Sequence, residues 1–336
     1  MPFQTRAFIR SLLLALLVIV LALAAITRFS GIEFWETQPD VAALVAEAET
    51  VLEEARGKPS GDRNSVDYLA IRLSLETLLD RARNLGGRMR ISSPKSFEPV
   101  LELTAPVIRM SSEALALPDA MTSEEGMRLR KQKAEACLLR ARAIWMQILS
   151  DREPVMVHHG QEEGGEEIAA LLRVIDDGLA AEADNIDLRR IRAAVNNLSG
   201  RFADAVDDLQ AILAVYPAES GNWNILGVLL TQLKRYDAAD EALLQARRLV
   251  LARAAADKVK PGAEYATIVY NLARLHEGLT RQFARDNRLT PSADNQRLYV
   301  KHLAAARLYF TEFLELEPRK STAAEMARRF LDELPE

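Results

Sequence analysis

Read from the N-terminus, the pattern of hydrophobic and polar positions begins with an unbroken apolar run, Leu12–Ile26, LLLALLVIVLALAAI. As a helix its 15 residues would reach roughly 22 Å, short of the ~30 Å core of a bilayer. Phe8, Ile9, Ser11 and Thr27, with Arg10 snorkelling to the headgroups, extend it to spanning length. Phe29, Phe34 and Trp35 then fall at the interface. Arg6 and Arg10 precede the run and Glu33, Glu36 and Asp40 follow it, so the positive-inside bias predicts a cytoplasmic N-terminus. The expectation is a single-pass anchor over residues 1–30 in a bacterial inner membrane, with the body facing the periplasm. Ala22-Leu23-Ala24 also fits a small-x-small cleavage site, and cleavage there would leave an exported soluble body.

Beyond this run the pattern becomes amphipathic with a helical period. Asp40 reads as the N-cap of a helix to about Arg56, with Val41, Leu44, Val45, Val51 and Leu52 on one stripe. A second helix is predicted after Ser65, carrying Tyr68, Ile71, Leu75, Leu78 and Leu79 and closing at Gly86-Gly87. Residues 97–117 are apolar but contain Pro99 and Pro106, with Pro118 following, which predicts a broken helix. Thr122 to Glu125 resembles a capping box opening a helix to about Leu149, with Leu138, Ala141, Trp145 and Ile148 inward. His158 to Glu167, HHGQEEGGEE, interrupts the pattern and reads as an exposed acidic connector over 158–166, between a helical domain (31–157) and a second domain (167–336). His158, His159, Glu162 and Glu163 are metal-donor types, but adjacent histidines point apart and the glycines leave the set unorganised, so a solvated loop is expected.

From residue 186 the apolar positions recur with a longer period. In GNWNILGVLLTQLKRYDAADEALLQA, Gly221–Ala246, residues Trp223, Leu226, Leu230 and Leu233 form one helix face, and Ala239, Leu243 and Ala246 form another after a Lys-Arg-Tyr turn. The two faces are predicted to close on each other as a hairpin. Gly227 removes a side chain where the backbones approach, Ala239 leaves only a methyl opposite, and Tyr236 covers the turn. A shift of 34 residues places Gly200-Arg201-Phe202 on Lys234-Arg235-Tyr236, Ala205 on Ala239, Leu209 on Leu243 and Ala193 on Gly227.

This arrangement, W-x-x-L-G, an aromatic, then A-x-x-x-L-x-x-A, resembles the tetratricopeptide repeat (TPR) family. With the apolar N-terminus, the chain resembles its bacterial single-pass, membrane-anchored periplasmic members. Pro217 stands at the family's terminal proline. One unit runs from Ile186 to about Glu219, with Arg192 and Asn196 where the family has Leu and Tyr, and a second from Ser220 to about Arg253. In a third, Leu272-Ala273 resembles the Leu-Gly pair and Leu303–Pro318 reads as the second helix, with Arg281–Arg297, bearing Pro291, as an insertion between them. A helix from about Ser321 to Leu334, with Ala324, Met326, Ala327, Phe330 and Leu331, reads as a cap, and Glu167–Ala183 as a half-unit at the other end. The predicted fold is all-α: an N-terminal transmembrane helix, a helical N-terminal region, then a TPR-like α-solenoid with an inserted third repeat and a C-terminal capping helix.

The resemblance implies a protein-binding groove lined by the first helix of each unit, at Arg190, Asn197, Asn224, Val228, Gln232, Tyr270 and Arg274. Cations, amides and one aromatic there suit a peptide backbone with an acidic side chain or C-terminal carboxylate. The Lys/Asn pattern of the family's carboxylate clamp is missing, which leaves that particular ligand open. The net charge of -5 provides no broad basic field, which argues against nucleic acid as a partner. Cys137 is the single cysteine, so the chain alone builds neither a disulfide nor a thiolate metal cage, and its place beside an apolar stripe predicts burial. No glycine-rich phosphate loop, G-x-S-x-G elbow or H-E-x-x-H pair occurs. His276 falls at a core-facing repeat position, where packing is expected, and His302 is expected near the start of the last unit's second helix. The expected protein is not an enzyme, takes no cofactor, metal or small-molecule substrate, and acts as an adaptor for an envelope complex. The alternatives are a soluble exported binding protein and an accessory subunit of an exported enzyme system.

Overall fold

The computed structural model describes residues 40–59, 65–90, 94–117, 124–151, 165–317 and 321–333. The apolar run Leu12–Ile26 with its flanks, the paired histidines 158 and 159, and most of the acidic connector lie outside these residues, as do Pro118, Thr122, Pro318 and Leu334. Among the described residues no helix is long and apolar enough to cross a membrane.

Twelve helices and no strand are found among the described residues. Of the described residues, 40–47 and those from Ala48 onward fall in two units. In the first, Asp40 starts α1 (Val41–Gly57): its Oδ1 accepts from the Ala42 amide at 3.3 Å and its carbonyl from that of Leu44 at 3.1 Å. The second unit contains α2 (Ser65–Gly86), a 3-10 turn at Pro94–Ser96, α3 (Glu98–Leu115) and α4 (Glu124–Asp151). Gln132 of α4 donates to the Arg72 carbonyl at 3.0 Å and to Glu76 at 2.8 Å, which fixes α4 along α2.

The segment predicted as a broken helix is one continuous helix, α3. Pro99 sits in its first turn, where no amide donor is needed, and Pro106 lies inside it. An interior proline costs about 3 kcal/mol. Val100, Leu103, Val107, Met110 and Ala114 are all buried along one stripe, and each large side chain among them contributes ~1.5–3 kcal/mol. Burial outweighs the missing hydrogen bond, and the helix runs through.

α5 (Gly165–Ala181) and α6 (Ile186–Leu198) continue the second unit. Ala141 and Ile148 of α4 share a core with Leu171, Ile175 and Leu179 of α5 and Leu188 and Val195 of α6. Gly178 makes this possible, since a Cβ there would come 2.8 Å from the Cys137 Cβ and 2.6 Å from Leu188 Cδ1. Cys137 is fully buried at this crossing, and burial pushes its thiol up to about 12.

Three hairpins follow: α6 with α7 (Phe202–Val215), α8 (Ser220–Gln232) with α9 (Tyr236–Asp257), and α10 (Ala263–Leu289) with α11 (Ala293–Leu316), then α12 (Thr322–Asp332). A single core runs from Ala193 of α6 to Phe330 of α12. The stretch 281–297, predicted as an insertion in the turn, is helical. α10 and α11 are both prolonged through it, leaving Thr290, Pro291 and Ser292 as the connection. Asn287 accepts from the Ser292 amide at 3.2 Å and Ser292 caps α11 through the Asn295 amide at 3.0 Å. His302 accordingly lies in the middle of α11 and not near its start. In α12, Ala324, Ala327 and Phe330 are buried whereas Met326 is 40% exposed.

Candidate protein-binding face

The tight crossing of α8 and α9 centres on Gly227. A Cβ built on it would lie 2.5 Å from Leu243 Cγ and 3.1 Å from the Ala239 carbonyl oxygen, so only glycine admits this approach. Leu226, Ala239, Leu243 and Ala246 are buried around it, and Trp223 and Tyr236 pack on the core edge. Trp223 Nε1 donates to the Pro217 carbonyl at 2.8 Å, joining α8 to the preceding turn. Ala205, Leu272 and Ala273 are fully buried at their own crossings.

Of the first helices of the hairpins, α10 packs against α8, and α6 is tied to the turn that precedes α8. Arg190 of α6 binds Glu219, the residue before α8, at 2.6 Å, and stacks over Tyr216 at 5.6 Å. Asn271 of α10 donates to Asn224 of α8 at 2.9 Å. Among the residues assigned to the groove, these links engage Arg190 and Asn224 within the chain. Arg190 lines a cavity of about 500 Å³ with Glu182, Asp187, Tyr216 and Glu219. Tyr270 leans toward α11, its ring 4.9 Å from Phe313 and 6.2 Å from Phe310, and burial raises its pKa. Arg274 pairs with Glu277 on its own helix. Asn197 and Val228 are half-buried, and Gln232 is exposed. Sequence reasoning missed the largest open apolar group of the face, Ile225, which is 43% exposed on α8.

The hairpin turns repeat to the atom. In the first, Gly200 has φ +72°, its amide donates to the Asn197 carbonyl at 3.2 Å and that of Arg201 to the Asn196 carbonyl at 2.8 Å. In the second, Lys234 has φ +59°, its amide donates to the Thr231 carbonyl at 3.0 Å and that of Arg235 to the Leu230 carbonyl at 2.9 Å. Every donor and acceptor has moved on by 34 residues. The fold is TPR-like. Two solved structures are similar to this chain. One is the C-terminal part of a TPR repeat-containing protein from Cytophaga hutchinsonii, at 10% identity over 84% of this chain and 98% of that one, TM-score 0.32. The other is yeast Tom70, at 14% identity over 86% and 69%, TM-score 0.26. At those scores the likeness adds nothing to the repeat geometry. No protein-family model and no curated protein matches the chain.

The two departures of the first TPR-like unit have structural counterparts. Arg192 stands where a Leu is usual and makes two 2.8 Å bonds to Asp208 of α7, with a further 2.9 Å bond to Asp176 of α5. Asp208 is almost fully buried and also receives Arg189 at 3.2 Å. An ion-paired knot thus replaces apolar contact between the two helices, and its hydrogen bonds raise the Arg192 pKa further. Asn196 is buried, its carbonyl serving the turn. A spacing rule alone pairs no charges across helices, so the knot had no signal beyond the odd Arg at a core position. Among the described residues, no cluster of His, Cys, Asp and Glu is arranged to hold a metal ion.

Proposed function

We propose that the chain is a noncovalent protein-binding scaffold whose working surface is the exposed side of α8 and α10. The observation that carries this is the repeated hairpin, with α10 packed against α8 and exposed side chains on both helices. The hairpin interiors are closed by core residues, while Ile225, Gln232 and Arg274 remain open on one side. An exposed aliphatic group bordered by an amide and a cation suits a partner segment presenting apolar and acidic side chains. The surface does not depend on the side chains of Asn224 and Tyr270, which serve internal contacts.

The finer reading is a single-pass inner-membrane protein with this scaffold in the periplasm, serving as an adaptor for an envelope complex. It is supported by the apolar run Leu12–Ile26 and its charge asymmetry. Alkaline extraction of membranes from cells making the full chain tests it: retention in the membrane pellet is expected, and release identifies an exported soluble protein. For the face, Ile225→Asp combined with Arg274→Glu is expected to abolish stoichiometric partner recovery while circular dichroism stays unchanged. Undiminished recovery with the fold intact discards this surface. Recovery of a single stoichiometric enzyme, in place of assembly intermediates, replaces the adaptor reading by that of an accessory subunit.

A further inference from the structure

The third hairpin buries two histidines against each other. His276 of α10 and His302 of α11 are 5% and 9% exposed, and their Nδ1 atoms are 3.0 Å apart. The rings are stacked, with centroids 5.2 Å apart. Phe283 covers the His302 ring at 5.6 Å and Tyr309 covers that of His276 at 5.6 Å. The second nitrogen of His276 faces Asp240 of α9, Nε2 to Oδ1 3.4 Å, and that carboxylate oxygen is buried without a hydrogen-bond partner.

A contact between two Nδ1 atoms at hydrogen-bond distance holds one proton, one ring donating and the other accepting. In the neutral pair that condition is met. One added proton still leaves a bare Nδ1 to accept, and the resulting positive charge lies beside the unpartnered Asp240 oxygen. A second added proton makes both rings imidazolium, so two N–H groups and two positive charges are forced together at 3.0 Å. The covering aromatic rings leave little water to screen them. Around His302, Asp237 and Asp240 of α9 favour the charged form, whereas His276 of α10 and Lys301 of α11 itself oppose it. Burial, then His276, then Lys301 hold the His302 pKa below the usual imidazole value.

We propose that the His276–His302 contact is an acid-operated latch on the third hairpin. It is closed while the pair carries at most one extra proton and opened when both rings are charged, which frees α10 and α11 from each other. The latch is a property of the hairpin and stands whether or not the face binds a partner. Its direction follows from linkage. A histidine whose folded pKa lies below its unfolded value of ~6.5 binds more protons when released. The latch therefore contributes fully above about pH 6.5 and is lost as the pH falls toward the folded pKa, the opening constant rising about tenfold per pH unit in that window.

Hydrogen exchange of the full chain between pH 7.5 and 5, corrected for intrinsic rates, tests this. Protection of residues 263–317 is expected to fall below pH 6.5 by about tenfold per unit relative to that of α6 to α8 in the same molecule. His302→Gln and His302→Phe are expected to remove the excess fall. Equal pH dependence of the two regions in the natural chain, or an excess fall that survives both substitutions, overturns the latch. If neither variant folds, the ring proton titration of His302 in the natural chain decides by NMR: a midpoint below 6.5 is expected, and one at or above it refutes the proposal.

Discussion

Gly227→Ala probes the α8–α9 crossing at its tightest point. The new methyl would arrive 2.5 Å from Leu243 Cγ, 2.8 Å from Leu243 Cδ2 and 3.1 Å from the Ala239 carbonyl oxygen. Carbon atoms rest about 3.5–4.0 Å apart, so either Leu243 leaves its rotamer or the helices part by about 1 Å. Leu243 is fully buried in the shared core and has no free space to enter. Overpacking of this kind costs about 1–3 kcal/mol, set against a gain of about 0.8–1 kcal/mol for Ala over Gly in a helix interior. The expected net loss is about 0–2 kcal/mol in urea unfolding followed by circular dichroism. Two controls isolate the cause. Gly278→Ala in α10 meets no atom within 4 Å and is expected to stabilise by about 0.8–1 kcal/mol. In a Leu243→Ala background the same Gly227→Ala change is expected to become neutral or stabilising, a coupling of at least ~1 kcal/mol. If Gly227→Ala stabilises the natural chain as much as Gly278→Ala does, the close crossing does not exist.

Arg192→Met strands the buried Asp208 with only Arg189 beside it and is expected to cost about 3 kcal/mol, most of it regained in Arg192→Met/Asp208→Leu; equal unfolding midpoints for Arg192→Met and the natural chain would show the knot to be inert. Lys234 occupies the left-handed region that its counterpart Gly200 adopts without strain, so Lys234→Gly is expected to stabilise by about 0.5–1 kcal/mol and Gly200→Lys to destabilise by about 1 kcal/mol. A thermal scan in which both changes destabilise would contradict the shared turn. Cys137, buried and with its thiol pushed up to about 12, is expected to resist a disulfide reagent at pH 8 in the folded chain and to react completely in urea; rapid labelling without denaturant would place it outside the α4–α5 crossing.

The repeat was legible because a hairpin that must close on itself imposes small residues at fixed positions, and Gly227, Ala239 and Ala205 report that constraint locally. What escaped was decided by contacts between residues far apart in sequence. Pro106 reads as a helix breaker until the stripe from Val100 to Ala114 is buried. Pro291 reads as the middle of a long insertion, yet it occupies a three-residue connection while both flanking helices simply lengthen. Gly178 went unread in the sequence, and only the structure shows the close approach of Cys137 and Leu188 that it permits. Nothing in their spacing paired Arg192 with Asp208, His276 with His302 or Asn224 with Asn271. Of the groove positions carried over from the resemblance, Asn224, Tyr270 and Arg190 are each engaged within the chain. Open apolar surface at Ile225 emerges only once neighbours are in place.

The scaffold reading is tested most directly by placing a photo-crosslinking residue at single positions and activating it in intact cells. Ile225, Gln232 and Arg274 sample the exposed side of α8 and α10, while Asp207 of α7 and Glu241 of α9 are exposed on the second helices of the hairpins. One discrete protein adduct common to the first three positions and missing from the last two is the expected result. Adducts that form equally at Asp207 and Glu241, or at those two positions alone, would mean that the partner binds elsewhere.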